Sequence, residues 1–244
     1  MIHKVFPSLN DFENLSLLRV ESSDFANKFD YSNVIVNKPW GYEYLWYQNE
    51  TVAIWFLYIK YQQNTSLHCH SRKRTSLIVL DGLIQCCTLD DKYVLNHLQG
   101  IVLEPCVFHT SSAISENGAF LLEIETPPMK GDLVRMNDNY GRQHSGYEKQ
   151  NEYSREFHLY DFYPFHHHYL LGSWSFKQVQ IVMSNSFQNI DKNCQLIVPI
   201  SNHIFKLDNE IIDIGEAFAI DNLYLNNDLV DNLGNFLLFY SLKK

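Results

Sequence analysis

Ser66-Leu67-His68-Cys69-His70 and, downstream, Gly100-Ile101-Val102-Leu103-Glu104-Pro105-Cys106-Val107-Phe108-His109 are the stretches that decide how this chain folds. Side chains alternate faces along a β-strand, so His68 and His70 at i and i+2 point the same way. A third imidazole, His109, can join them from a distant strand inside a barrel. Three neutral imidazoles can hold a divalent ion, Zn, Fe, Mn or Ni, with coordination positions left open. No other group of residues in the chain is as well suited to chemistry.

Working outward, the same strand rhythm recurs. Val34-Ile35-Val36, Tyr42 to Tyr47 and Val52 to Tyr61 read as strands, separated by Asn37-Lys38-Pro39-Trp40-Gly41 and Gln48-Asn49-Glu50 turns. Leu77 to Leu80 runs into Asp81-Gly82, a favoured hairpin turn. Leu83 to Leu89, Gly100 to Leu103, Ser112 to Ile114 and Ala119 to Ile124 continue the series. Short strands at even spacing with turn signals predict a sandwich or barrel. Residues 127–155 are polar and turn-rich and read as an arm or linker. A second β-rich stretch follows: Gln178 to Met183, Gln195 to Pro199, His203 to Leu207, Glu210-Ile211-Ile212, Ala217 to Ile220 and Asn235 to Leu242. Near the N-terminus, Pro7-Ser8-Leu9-Asn10-Asp11-Phe12-Glu13 reads as a helix start, with a Ser or Asn cap and acids in the first turn.

Composition sets the outer limits. The chain has 244 residues, 45% of them hydrophobic, enough for one large domain or two small ones. Fifteen Tyr and 16 Phe lean towards β-structure. A net charge of −9 argues against nucleic-acid partners. No apolar run is long enough to span a membrane, and no signal-peptide core opens the chain. Five cysteines, an odd number with Cys86 and Cys87 adjacent, read as reduced thiols in a cytoplasmic protein. Cys69 and Cys106, beside the histidines, read as small buried strand residues.

These motifs carry a family resemblance. His68-x-His70 followed by Leu77-Ile78-Val79-Leu80-Asp81-Gly82 resembles the first cupin motif, and Gly100 through Pro105 to His109 resembles the second. Lys38-Pro39-Trp40-Gly41 is similar to the opening motif of the cupin domain of type II mannose-6-phosphate isomerases. Glu123-Ile124-Glu125-Thr126, Asp132-Leu133-Val134-Arg135 and Asp138-Asn139-Tyr140-Gly141-Arg142 are similar to that family's closing segment. The resemblance covers residues 36–142.

The resemblance implies an all-β bicupin: an N-terminal extension (1–33), a cupin domain with the histidine site (34–142) and a degenerate second cupin-like unit (143–244) without the histidines. It implies a metal on His68, His70 and His109. The slot where cupins usually carry a glutamate ligand holds Thr75. Glu123 and Glu125 share one strand face and are the candidates for proton transfer or a replacement oxygen ligand. Arg72, Lys73 and Arg74 are candidates to bind a substrate phosphate, or form a solvated turn. Tyr58 and Lys60 alternate onto one face and are candidates to line the cavity. Arg135 and Arg142 either bind phosphate or hold the closing segment through ion pairs. His166-His167-His168 cannot all face one ion from a strand and reads as a mobile or interface segment. The expected function is isomerisation or epimerisation of a sugar phosphate or nucleotide sugar, in carbohydrate or surface polysaccharide metabolism, by a homodimer acting on a small sugar-type substrate. Two alternatives stay open: a three-His Fe(II) dioxygenase, and a non-catalytic sugar-binding module.

Overall fold

Strands that alternate between two facing sheets organise the first part of the chain. The structure is a computed structural model describing residues 1–18, 24–143, 147–148, 152–163, 172–186, 190, 193–201, 205–207, 210–220 and 234–242. The strands are β1 (Ile2–Val5), β2 (Ile35–Lys38), β3 (Gly41–Gln48), β4 (Ala53–Ile59), β5 (Leu67–Cys69), β6 (Arg74–Asp81), β7 (Ile84–Thr88), β8 (Lys92–Leu95), β9 (Gly100–Leu103), β10 (His109–Ala113), β11 (Ala119–Thr126), β12 (Val134–Asn137) and β13 (Tyr153–Ser154). A large sheet has the order β1-β9-β6-β11-β4-β3-β2-β13, and a smaller one β12-β5-β10-β7-β8. From β4 to β12 the chain passes back and forth between them, which is the path of a double-stranded β-helix. Most expected strands are present, and Gly82 makes the hairpin turn at φ +85°, where a Cβ would lie 2.5 Å from the Gly118 carbonyl oxygen.

The large sheet is apolar on both faces. Ala53, Trp55, Leu57 and Ile59 of β4 point into the barrel with Leu77, Val79, Ile101 and Leu121. Their neighbours Ile54 and Phe56 point outward with Tyr44, Ile78 and Leu122. That outer face is covered by the second unit, which comprises β14 (Ser173–Phe176), β15 (Val179–Ser184), β16 (Cys194–Pro199), β17 (Phe205–Leu207), β18 (Glu210–Ile212), β19 (Phe218–Ala219) and β20 (Phe236–Ser241). These form an antiparallel sheet of order β14-β15-β20-β16-β19 and a β17-β18 hairpin. Phe176, Ile181, Leu196, Val198 and Phe239 pack against Phe56 and its neighbours in one continuous core. The chain is all-β with two units, and among the described residues only the first holds a histidine cluster.

The N-terminal extension is part of the barrel rather than an appendage. β1 pairs in parallel with β9. Helix α1 (Leu9–Leu17) begins where the sequence places it, with Ser8 as cap and a Ser8–Asp11 capping box. Asp11 also accepts the Phe108 backbone N–H at 2.9 Å, fixing the approach to His109. Residues 127–155 correct the sequence reading. They do not form a simple linker: β12 joins the small sheet beside β5, and β13 extends the large one at β2. No helix among the described residues is long and apolar enough to cross a membrane.

Phe56 is 2% exposed at the joint between the units. Phe56→Ala is therefore expected to lower unfolding free energy by about 3–5 kcal/mol in chemical denaturation. A loss below about 1 kcal/mol would show that the second sheet does not seal this face.

Candidate metal centre and its cavity

β5 and β10 lie side by side, with His68 directly opposite His109. The Cys106 backbone N–H donates to the His70 carbonyl at 2.7 Å, joining the two histidine motifs. The donor atoms of His68, His70 and His109 all lie within 4.8 Å of one another, within reach of a single ion.

Each imidazole is oriented from behind. Nδ1 of His68 meets the Ser66 carbonyl at 2.8 Å, Nδ1 of His70 the Asp132 carbonyl at 2.6 Å, and Nδ1 of His109 the Val107 carbonyl at 3.0 Å. A carbonyl only accepts, so each Nδ1 carries the proton and each Nε2 keeps its lone pair. The His70 Nε2 is buried without a hydrogen-bond partner. A buried, unpaired acceptor is costly unless something arrives to use it. Burial also lowers all three imidazole pKa values, with His109 at about 4 and His68 and His70 well below the usual value. They are neutral at neutral pH, the form that binds metal. The donor set fits a divalent ion.

The carboxylates divide into two environments. Glu123 and Glu125 both face the barrel interior from β11. Glu125 lies opposite Thr75 in register, on the strand next to the usual glutamate slot. It is held by Lys73 at 2.7 Å and Lys130 at 3.3 Å. Burial would raise its pKa, but Lys130 and Lys73 outweigh this and keep it ionised. Glu123 has an oxygen 3.9 Å from His70 Nε2. Burial raises its pKa, reinforced by the Glu125 charge, against the opposing pull of Lys130 and Lys73. Two carboxylates on one face are thus pushed apart in acidity, the pattern expected of an acid–base site.

A cavity opens in front of these groups, leaving about 60 Å³ for the centres of water molecules. Of the histidines, His68 and His70 line it, together with the lysines and glutamates just described and with Lys38, Glu43, Arg135, Arg142, Tyr147 and Glu148. Lys130 bonds Glu43 at 2.9 Å and lies 3.6 Å from the Trp55 ring centre. Lys38 pairs with Glu43 at 3.3 Å and with Glu148. Tyr147 donates its hydroxyl to Glu43.

Of the basic run, only Lys73 lines the cavity; it immediately precedes β6 on the inward parity of Thr75 and Leu77, whereas Arg72 lies in the bend before it. Arg72 is exposed. Arg74 points the other way, to Glu104 at 3.0 Å and Asp213 at 2.9 Å. Tyr58 is likewise on the outer face, packed on Tyr42 and Phe120, and Lys60 is exposed beyond the end of β4. Neither lines the cavity. Arg135 and Arg142 do form ion pairs, with Glu148 at 3.4 and 2.6 Å. Glu43, Lys130, Tyr147 and Glu148 were not foreseen. Glu43 left one signal, an acid at an inward position of the aromatic strand Tyr42-Glu43-Tyr44. His166-His167-His168 lies outside the described residues.

No family model matches the chain, and no curated protein matches it. Several solved structures are similar to parts of it. KdgF from Halomonas sp. is 12% identical with a TM-score of 0.36, over 43% of this chain and 93% of that one. An RmlC-like cupin from Shewanella frigidimarina NCIMB 400 is 17% identical with a TM-score of 0.35, over 38% of this chain and 82% of that one. A cupin-superfamily sugar phosphate isomerase from Silicibacter pomeroyi DSS-3 is 10% identical with a TM-score of 0.30; the match spans 31% of this chain and half, 50%, of that one. These neighbours are cupin-type, but at such scores the likeness decides nothing; the double-stranded β-helix is established by the strand order above.

Glu43 provides a test of the buried charge network. Burial opposes its ionisation, yet Lys130, Lys38 and Tyr147 hold its pKa down at about 2. Its folded pKa is below its unfolded one, so its stabilisation is present above the unfolded value and disappears as pH falls towards 2. Glu43→Gln is expected to flatten the loss of stability between pH 5 and 2, read from denaturation midpoints. At pH 7 the same change removes one of the two carboxylates that each of Lys38 and Lys130 contacts, leaving Glu148 and Glu125 as their partners, and is expected to lower stability. Parallel pH curves for the two proteins would refute this.

Proposed function

We propose that this chain is a metal-binding cupin that isomerises or epimerises a sugar phosphate or nucleotide sugar in carbohydrate or surface polysaccharide metabolism. The observation that carries the reading is the convergence of three Nε2 lone pairs with a carboxylic acid of raised pKa, Glu123, in a cavity lined with charge. The four stretches resembling cupins and type II mannose-6-phosphate isomerases support the same class, since they include the histidines and, of the cavity wall, Lys38, Glu123, Glu125, Arg135 and Arg142.

A bound divalent ion would supply a Lewis acid for a substrate carbonyl or vicinal hydroxyls. His68, His70 and His109 would hold it. Glu123 would take the proton from the carbon next to the carbonyl and return it to the neighbouring carbon, through an enediol. Glu125, clamped by Lys73 and Lys130, keeps its charge and raises the proton affinity of Glu123, which makes Glu123 the stronger base of the two. The barrel walls exclude bulk water while the proton is in transit. We place the protein in the cytoplasm as a homodimer; the small sheet ends in β8, where Val94 is 55% exposed and offers an edge for a second copy.

The three-His donor set without a clamped carboxylate ligand also suits Fe(II), which keeps the dioxygenase as the second reading. Protein purified without an affinity tag distinguishes the two. Stoichiometric Zn, Mn or Ni, with solvent deuterium entering a sugar phosphate, is the expected result. Stoichiometric Fe with oxygen uptake would favour the dioxygenase. His70→Ala should weaken metal binding by more than about 100-fold. Glu123→Gln should retain metal and lose about 10²–10⁴-fold in turnover. An absence of metal, with ligand binding unchanged in His68→Ala, would leave only the binding module.

A further inference from the structure

We infer that Lys38, Arg135 and Arg142 form a seat for an oxyanion of the ligand, a phosphate or a carboxylate, which the Glu148 carboxylate fills when no ligand is bound. This rests on reading the cavity as a substrate site, and it names the part of the substrate that the histidines do not address.

Three cations converge on one carboxylate. Lys38 and Arg142 contact different oxygens of Glu148, Arg142 at 2.6 Å, and Arg135 approaches at 3.4 Å. The Lys38, Arg135 and Glu148 side chains are only 4%, 4% and 5% exposed, so this is a formed pocket rather than a surface cluster. A planar guanidinium fork beside an ammonium is the arrangement that recognises carboxylate and phosphate groups. The cations are anchored in the fold: Lys38 ends β2, Arg135 sits on β12 and Arg142 is pinned by Asp138 at 2.6 Å. Glu148 instead belongs to the connection between β12 and β13.

Charge balance shows why an anion must always be present. Lys38, Lys73, Lys130, Arg135 and Arg142 line the cavity. Glu43 and Glu125 are already committed to Lys130, and Glu123 faces His70. Lys38 also pairs with Glu43 and Arg142 with Asp138, so taking away Glu148 without replacement would leave this group of buried cations short of one shared counter-charge. Exchanging it for a ligand oxyanion preserves the balance. The seat also has the right position. Arg135 lies opposite His68 across β12 and β5, and its Nε is 3.4 Å from Ser66 Oγ, which is itself 3.2 Å from His68 Nδ1. An anionic group held there puts the remainder of a sugar in front of the histidines.

The test uses metal-stripped full-length protein, titrated calorimetrically at low ionic strength with inorganic phosphate and with glucuronate. Glu148→Gln keeps the shape of the side chain and removes its charge, and should bind at least one probe about 10-fold more tightly than the unaltered chain. The preferred probe tells phosphate from carboxylate. Adding Arg142→Gln to Glu148→Gln should abolish the gain. A folded Glu148→Gln that binds neither probe more tightly overturns the proposal, as does a gain that survives Arg142→Gln. Should Glu148→Gln fail to fold, the unaltered protein must gain thermal stability from one probe and lose that gain in Arg135→Lys; no gain overturns it equally. Because no metal is present, these outcomes are independent of whether the metal and isomerase reading holds.

Discussion

Asp132 ties the working end of the barrel together. Its carboxylate accepts the backbone N–H groups of Ser71, Arg72 and Lys73 at 3.1, 2.8 and 3.0 Å, and the Ser71 hydroxyl at 2.8 Å. Its own carbonyl accepts Nδ1 of His70. One carboxylate thus satisfies three backbone donors and a hydroxyl after the His68-x-His70 strand, and the same residue selects the tautomer of the second histidine. Such donors cost about 1–3 kcal/mol each if left without a partner. The rest of the site follows from this cap. It places Lys73 inward against Glu125 and brings β12 alongside β5, so that Arg135 faces His68. The closing segment is as much a part of the histidine site as the histidine strands are.

Once charged side chains are drawn into a barrel end, they must answer one another. Lys130 is the hub, bonded to Glu43 and Glu125 and stacked near Trp55. Its positive charge keeps those two acids ionised, and the ionised Glu125 in turn makes a second charge on Glu123 unfavourable. The separation in acidity between neighbouring carboxylates therefore arises from the placement of Lys73 and Lys130 on two other segments, not from any property of β11 alone. Buried pairs of this kind add little net stability relative to apolar packing. What they do set is the difference in proton affinity between Glu123 and Glu125.

What could be read in the sequence was whatever repeats with period two. His68 and His70 declare a shared face, and the unbroken apolar run Ala53-Ile54-Trp55-Phe56-Leu57 declares a strand buried on both sides. The same rule, applied to Arg72-Lys73-Arg74, says that only one parity can face the cavity, but only the register of β6 shows it is that of Lys73, Thr75 and Leu77. The closing segment was marked by resemblance, with ion pairs of Arg135 and Arg142 among its readings, but its path was not legible from periodicity, for a different reason. It is shaped by side-chain caps such as Asp132 and Asp138, which bond backbone groups several residues away and leave no period to detect. Tyr147 and Glu148 lie past the last residue of the recognisable motifs, so nothing in the sequence pointed to them.

The outer face of the large sheet gives a physical role to the second unit, whose described residues hold no histidine cluster. A barrel whose β4 and β11 carry Phe56, Phe120 and Leu122 outward cannot leave that face in water. The second sheet meets it with Phe176, Leu196 and Phe239, and polar links reinforce the joint: Ser76 donates to the Gly215 carbonyl at 2.6 Å, and Lys4 reaches Glu216 at 2.8 Å. The inward neighbours of the outward residues on β11 are Glu123 and Glu125. Packing on the back of the strand thus fixes the position of the two acids on its front. A unit that supplies no side chain to the cavity still determines how accurately the cavity is built.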